Sequence, residues 1–168
     1  IEDGADIIDI GAYSSRPGAD EVSVEEECDR LCQGLSAVRA VAPDIPVSVD
    51  TFRASVARMA IGEGADIIND ISGGTLDPRM FDTVAELKVP YILMHMRGTP
   101  ATMQTMCDYE NVTLDVVKEL SVKLNRLQEL GVSDVIVDPG FGFSKTTEQN
   151  YVLMKDLPHI IDVLRRPV

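Results

Sequence analysis

The chain has 168 residues, enough for one domain with a sizeable core, and its 45% hydrophobic content is that of an ordinary globular protein. Lys plus Arg (15) against Asp plus Glu (28) leave a formal charge of -13, which argues against nucleic acid or an anionic membrane as a partner. Three cysteines are too few and too unevenly placed for a disulfide framework, no apolar run approaches the roughly 18 residues of a membrane span, and a cytoplasmic protein is the expectation.

Short β-branched runs alternate with longer amphipathic stretches, the pattern of βα units around a parallel sheet. In chain order the expected strands are "DIIDIG" (6–11), "PVSVD" (46–50), "DIIND" (66–70), "YILMH" (91–95) and "DVIVD" (134–138). All five are nearly continuous in apolar residues, as strands buried on both faces should be. Helices are expected between and after them at about 22–42, 53–63, 78–88, 112–130 and 147–164, and in the fourth Val116, Leu120, Leu124 and Leu127 share a face with Lys123 at its edge. Cys28 and Cys32 sit four apart on the first helix and read as packing thiols. No linker or second domain interrupts residues 1–168.

The phrase Gly-Ala-Asp-Ile-Ile occurs twice, at 4–8 and 64–68. Gly4, Gly64 and Gly131 stand just before strands, where a helix end needs a left-handed residue. The repeat is therefore first a turn device. Chemistry collects at the opposite ends of the strands, which terminate in Asp50, Asn69 with Asp70, His95 and Asp138, while the first strand carries Asp9 and runs into "GAYSSRPGA". In closed (β/α)8 barrels and open parallel sheets alike, the carboxyl ends of the strands form the active face. The plainer reading of each residue is a cap: Asp50 before "TFRASVA" or Asp77 before Pro78 suits a helix N-cap, and His95 suits a satisfied histidine at the rim. Arg16 can bind a carboxylate or phosphate, or order its own loop through Asp20 or Glu21. "DPGFGFSKTTEQN" fails as a phosphate loop, because Ser144 and not glycine precedes Lys145, and no G-x-G-x-x-G follows a strand.

Five motifs in order, "DIIDIGAYSSRPGA", "PVSVDTFRASVA", "GADIINDISGG", "YILMHMRGTPATMQ" and "VIVDPGFGFSKTTEQN", resemble the dihydropteroate synthase family over essentially the whole chain. The resemblance implies a TIM (β/α)8 barrel, incomplete here, with about five βα units corresponding to strands 2 to 6. It implies condensation of 6-hydroxymethyl-7,8-dihydropterin diphosphate with p-aminobenzoate to give 7,8-dihydropteroate and diphosphate, with sulfonamides as competitors. By motif, Asp50, Asn69 and Asp138 would hold the pterin and Met94 would line its cleft. Ser15, Arg16 and Pro17 would close over p-aminobenzoate, with Phe143 forming part of its wall and Gly142 among the substrate-binding residues. Asp50 and Arg16 are the catalytic candidates. Magnesium is implied as well, its asparagine ligand lying outside this chain, and none of these 168 residues is expected to hold a metal; the complete protein is expected to be a homodimer.

Departures from the family are Tyr13-Ser14-Ser15 where many relatives have Glu-Ser-Thr, and Ser144 where they have glycine. The family's upstream N-V-T-P-D-S-F-like motif and its downstream S-R-K and R-x-H motifs do not occur, so a domain truncated at both ends and inactive alone is expected. The competing readings are a pterin-binding methyltransferase domain using methyltetrahydrofolate, and a non-catalytic pterin-binding partial barrel.

Overall fold

The computed structural model describes residues 4–16 and 18–168; Pro17, one of the loop residues singled out above, lies outside them. Five strands, β1 (Ile8–Gly11), β2 (Val47–Asp50), β3 (Ile67–Asp70), β4 (Tyr91–Met94) and β5 (Val135–Asp138), form one sheet in the order β1-β2-β3-β4-β5. Every neighbouring pair is parallel. Because the order follows the sequence without reversal, like-handed crossovers place all helices on one face, the winding of a barrel and not of a doubly wound open sheet. Past the last helix, the Pro167 carbonyl accepts a 2.8 Å hydrogen bond from the Val137 N–H, so the chain returns alongside β5 where a further neighbouring strand would lie.

The helices are α1 (Val24–Val41), α2 (Ala54–Gly62), α3 (Met80–Leu87), α4 (Val112–Glu129), α5 (Thr147–Lys155) and α6 (Leu157–Leu164), with a 3-10 turn at Met103–Thr105. The stretch 147–164, expected as one helix, is two. Pro158 lacks the N–H that a continuing helix would bond at that level, and the helix restarts from Asp156 with the proline in its first turn. The α5 start is closed by a capping box in which Thr146 and Gln149 satisfy each other's backbone N–H groups.

Strand residues alternate between two environments. Outward-facing Val47, Val49, Ile68, Tyr91, Leu93, Val135 and Val137 are buried beneath the helices. The α4 stripe Val116, Leu120, Leu124 and Leu127 packs on this face as its periodicity implies. Lys123 tucks in at the edge and donates to the Ser72 carbonyl at 3.2 Å. Burial on both faces holds for β2 only up to Asp50, and β1 alternates between half-buried and exposed because it is an edge strand. Gly4, Gly64 and Gly131 all have positive φ, as their turn role requires. Cys32 packs its sulfur 3.5 Å from that of Met59.

Neither aspartate expected as a possible cap serves the helix that follows it in the simple way. Asp50 caps nothing, and Arg53 occupies the α2 N-cap without a side-chain bond. Asp77 supplies the missing acceptor from another loop, taking the Ala54 N–H at 2.9 Å while its other oxygen takes the Arg79 N–H at 3.0 Å. The Arg79 guanidinium, bonded to the same carboxylate, and then these backbone bonds hold its carboxyl down at about 2.

Candidate functional site

Parallel register decides which strand-end groups meet. Partners across a parallel ladder share a face, and so do residues two apart along a strand. Gly11 pairs with Asp50, Asp50 with Asn69, and Met94 with Asp138. Asn69 pairs with Ile92, two residues before Met94. Asp50, Asn69, Met94 and Asp138 therefore stand on the same inner face at the carboxyl ends of four consecutive strands. Asp70, one residue further along β3, faces the other way. It is completely buried, accepts from Ser72, Gly74 and the Tyr91 hydroxyl (2.7 Å for the last), and is a structural hub.

Asp50 is the chemically unusual member. Burial, with the nearby charges of Asp9, Asp70 and Glu27 adding to it, lifts its carboxyl from its ordinary 3.8 to about 7. Among the described residues no hydrogen-bond donor offsets this. Asp9, beneath it on β1, accepts from Ser48 and, at a long 3.4 Å, from the Asn69 amide. Asp138 turns one oxygen to the Gly140 N–H at 2.7 Å and keeps the other available. A half-buried carboxylate without a donor, a second carboxylate and an amide on one face form an acceptor-rich cleft suited to a neutral ligand edge bearing several N–H groups.

Met94 is 3% exposed and belongs to an apolar cluster with Ile71, Met96 and Met103, against which Phe52, Leu76 and Phe143 pack. The structure thus brings Phe143 to the same end of the sheet as Met94. Gly142 has φ +83 and gives its N–H to the Asn150 side chain.

The loop after β1 leaves from Gly11, the ladder partner of Asp50. Arg16 is exposed and lines a hollow of about 350 Å³ with Tyr13, Phe52, Arg53, Leu76 and Thr99. Among the described residues no ion pair joins it to Asp20 or Glu21. Ser15 is half-buried on the same loop. Tyr13, where many relatives carry Glu, meets Phe52 edge to face at 5.0 Å, with the Arg53 guanidinium 5.2 Å from its ring. Arg53 is anchored by the fully buried Glu27 at 2.6 Å.

Sequence reasoning missed a charged network behind the cleft. Lys145, rejected as a phosphate-loop lysine, is 4% exposed and donates to the Gly140 and Phe143 carbonyls at 3.0 and 2.9 Å and to His95 Nδ1 at 3.0 Å. Burial lowers its ammonium to about 8. Because the ammonium must donate, Nδ1 accepts and the His95 proton sits on Nε2, 2.9 Å from Glu119. His95 is thus the satisfied histidine foreseen, held neutral by burial. His95 and Arg97 together hold the Glu119 carboxyl at about 2. Glu119 is one of several acids on an amphipathic helix, so only its tertiary placement distinguishes it.

Among the described residues no group of three or more His, Cys, Asp or Glu is placed to hold a metal ion. The described residues on this face therefore do not by themselves fit the magnesium that the resemblance implies.

Sheet order and like-handed crossovers define an α/β barrel-type protein, with inner-face carboxylates and an apolar wall gathered at the carboxyl ends of its strands. The chain belongs to the family described as pterin binding enzyme, whose match runs over residues 1–168. Among relatives, the mitochondrial folate synthesis bifunctional protein of Arabidopsis thaliana is 49% identical over 167 residues, covering 95% of this chain and 30% of that protein. Dihydropteroate synthase of Synechocystis is 45% identical over 162 residues, covering 95% of this chain and 56% of that protein. Among solved structures, Xanthomonas albilineans dihydropteroate synthase with 4-aminobenzoic acid superposes with a TM-score of 0.89 at 38% identity, over 99% of this chain and 59% of that one. The Yersinia pestis dihydropteroate synthase in a sulfonamide drug complex gives 0.90 at 35% identity, over 96% and 59%. The chain thus spans little more than half the length of the single-function synthases it matches.

Proposed function

We propose that the full-length protein is a dihydropteroate synthase: a transferase of folate biosynthesis that joins 6-hydroxymethyl-7,8-dihydropterin diphosphate to p-aminobenzoate, releasing 7,8-dihydropteroate and diphosphate. The observation that carries this reading is the Asp50 carboxyl, half-buried beside Asn69, raised to about 7 and lacking a donor among the described residues. A 2-amino-4-oxo pterin edge offers neighbouring N–H donors, and each one aimed at Asp50 or Asp138 meets a carboxylate oxygen that has no protein donor among the described residues. Asn69 can both donate and accept.

On this reading the carbon–oxygen bond to diphosphate breaks first and positive charge develops on the pterin methylene. Asp50 in its anionic form stabilises that charge from a site of low dielectric. The neutral aniline nitrogen then forms the new bond and loses a proton to solvent. Met94 and Phe143 supply the apolar wall, and Ser15, Arg16, Pro17 and Gly142 the loops that enclose p-aminobenzoate. The likeness to a synthase holding 4-aminobenzoic acid, and to one in a sulfonamide complex, supports the second substrate and sulfonamides as its competitors. Magnesium, implied by the resemblance, would be held by groups outside these residues. A homodimer and a cytoplasmic location complete the proposal. Among the described residues no helix is long and apolar enough to cross a membrane.

Titration calorimetry of the full-length protein with the pterin diphosphate and then with p-aminobenzoate tests the reading. Both should bind, the second only after the first. A protein that binds methyltetrahydrofolate and ignores p-aminobenzoate would be a methyltransferase domain instead.

A further inference from the structure

Ser144 adopts φ +49, a left-handed conformation that a residue with a side chain takes only at a cost, and it is completely buried. Its hydroxyl donates to the Phe143 carbonyl at 2.8 Å, accepts from the Arg97 N–H at 3.0 Å and shares a hydrogen bond with the Tyr109 hydroxyl at 3.3 Å. Those three bonds exhaust what one hydroxyl can make. They tie the loop after β5 to the loop after β4 and to the segment leading into α4.

The circuit closes on itself. Arg97 lies over the Tyr109 ring at 3.8 Å and bonds Glu119, Glu119 bonds His95, His95 bonds Lys145, and Lys145 donates to the Phe143 carbonyl that Ser144 also holds. Phe143 is thereby fixed at its own carbonyl oxygen from two sides while its ring packs on the Met94 cluster. Glycine at 144 would relieve the backbone and release every contact of the hydroxyl.

We propose that Ser144 is a positioning residue: it latches the 139–145 loop to the loop after β4 and so holds Phe143 as the wall of the aromatic-amine pocket. The role given to Phe143 rests on the synthase reading; the latch itself does not.

The test compares Ser144→Ala and Ser144→Gly with wild type in the full-length protein, by hydrogen exchange and by steady-state kinetics. Exchange of the Arg97 amide and of the amides of residues 140–145 should quicken about tenfold in both variants, the order expected for losing one or two hydrogen bonds. KM for p-aminobenzoate should rise about fivefold to tenfold, with kcat and KM for the pterin within about twofold of wild type. The glycine variant, free of backbone strain, should melt at or above the alanine variant yet show the same KM defect, which loss of stability alone would not give. Unchanged exchange overturns the latch whatever the kinetics, and quickened exchange with unaltered KM overturns the positioning role. Wild-type protein without turnover would sink the synthase reading, and the exchange comparison would still decide the latch.

Discussion

Replacing Asp50 by Asn should stabilise the protein at alkaline pH while destroying its function. In the folded chain this carboxyl keeps its proton up to about pH 7, whereas in the unfolded chain it ionises near 3.8. Between those values the native state binds more protons than the unfolded state, so stability falls as pH rises. The shift is about three units, each worth about 1.36 kcal/mol, giving a burial cost near 4 kcal/mol above pH 7 as an upper bound, and about 2 kcal/mol with partial solvent screening. Asparagine has the same shape and no proton to lose. Urea unfolding of the full-length wild type and the Asp50→Asn variant between pH 4 and pH 8 should show a difference near zero at the acid end that grows to about 2–4 kcal/mol in the variant's favour. A difference that stays flat across the range would refute the burial of an unpaired charge. Turnover should fall by on the order of a hundredfold or more in the variant, since an amide cannot oppose a developing cation. For the wild type, pterin affinity should weaken about tenfold per pH unit below 7 as the carboxylate is lost.

Other expectations follow from the same geometry. Asp138→Ala should weaken pterin binding by on the order of a hundredfold in calorimetry, and unchanged affinity would remove this residue from the site. Asp77→Ala should cost about 2 kcal/mol at pH 7 in denaturant unfolding, through loss of the Ala54 and Arg79 bonds. Because the folded carboxyl titrates at about 2, its stabilisation is full above its ordinary 3.8 and disappears as pH falls through about 2. Gly140→Ala would place a Cβ 2.0 Å from the His95 carbonyl oxygen at a φ of +74, and a melting curve should show a loss of about 3 kcal/mol or more.

The strands and their polar ends were legible because burial forces β-branched runs, so the first polar residue after each run marks where a strand emerges. The pattern marked Asp50, Asn69 with Asp70, His95 and Asp138 as polar strand ends, the resemblance singled out Asp50, Asn69 and Asp138 among them, and the parallel register sets those three on one face. What the pattern could not give was direction at single-residue resolution. Asp70 and Asn69 are adjacent in sequence, yet one anchors Tyr91 behind the sheet and the other faces the cleft. Nor could periodicity expose the His95–Lys145–Glu119 network, whose members are separated by 24 and 50 positions. The break at Asp156 was within reach, since Pro158 is visible in the sequence; the apolar spacing on either side masked it. The loop at 13–18 was recognisable by resemblance, but its Tyr13 contacts depend on Phe52 and Arg53 from another unit.

Incubating the full-length protein with 6-hydroxymethyl-7,8-dihydropterin diphosphate and p-aminobenzoate, and separating the products by chromatography, tests the central claim most directly. The account predicts 7,8-dihydropteroate and diphosphate in equal amounts, with product lost in Asp50→Asn. Binding of the pterin without any condensed product, or product formation that survives loss of the Asp50 carboxylate, would contradict it.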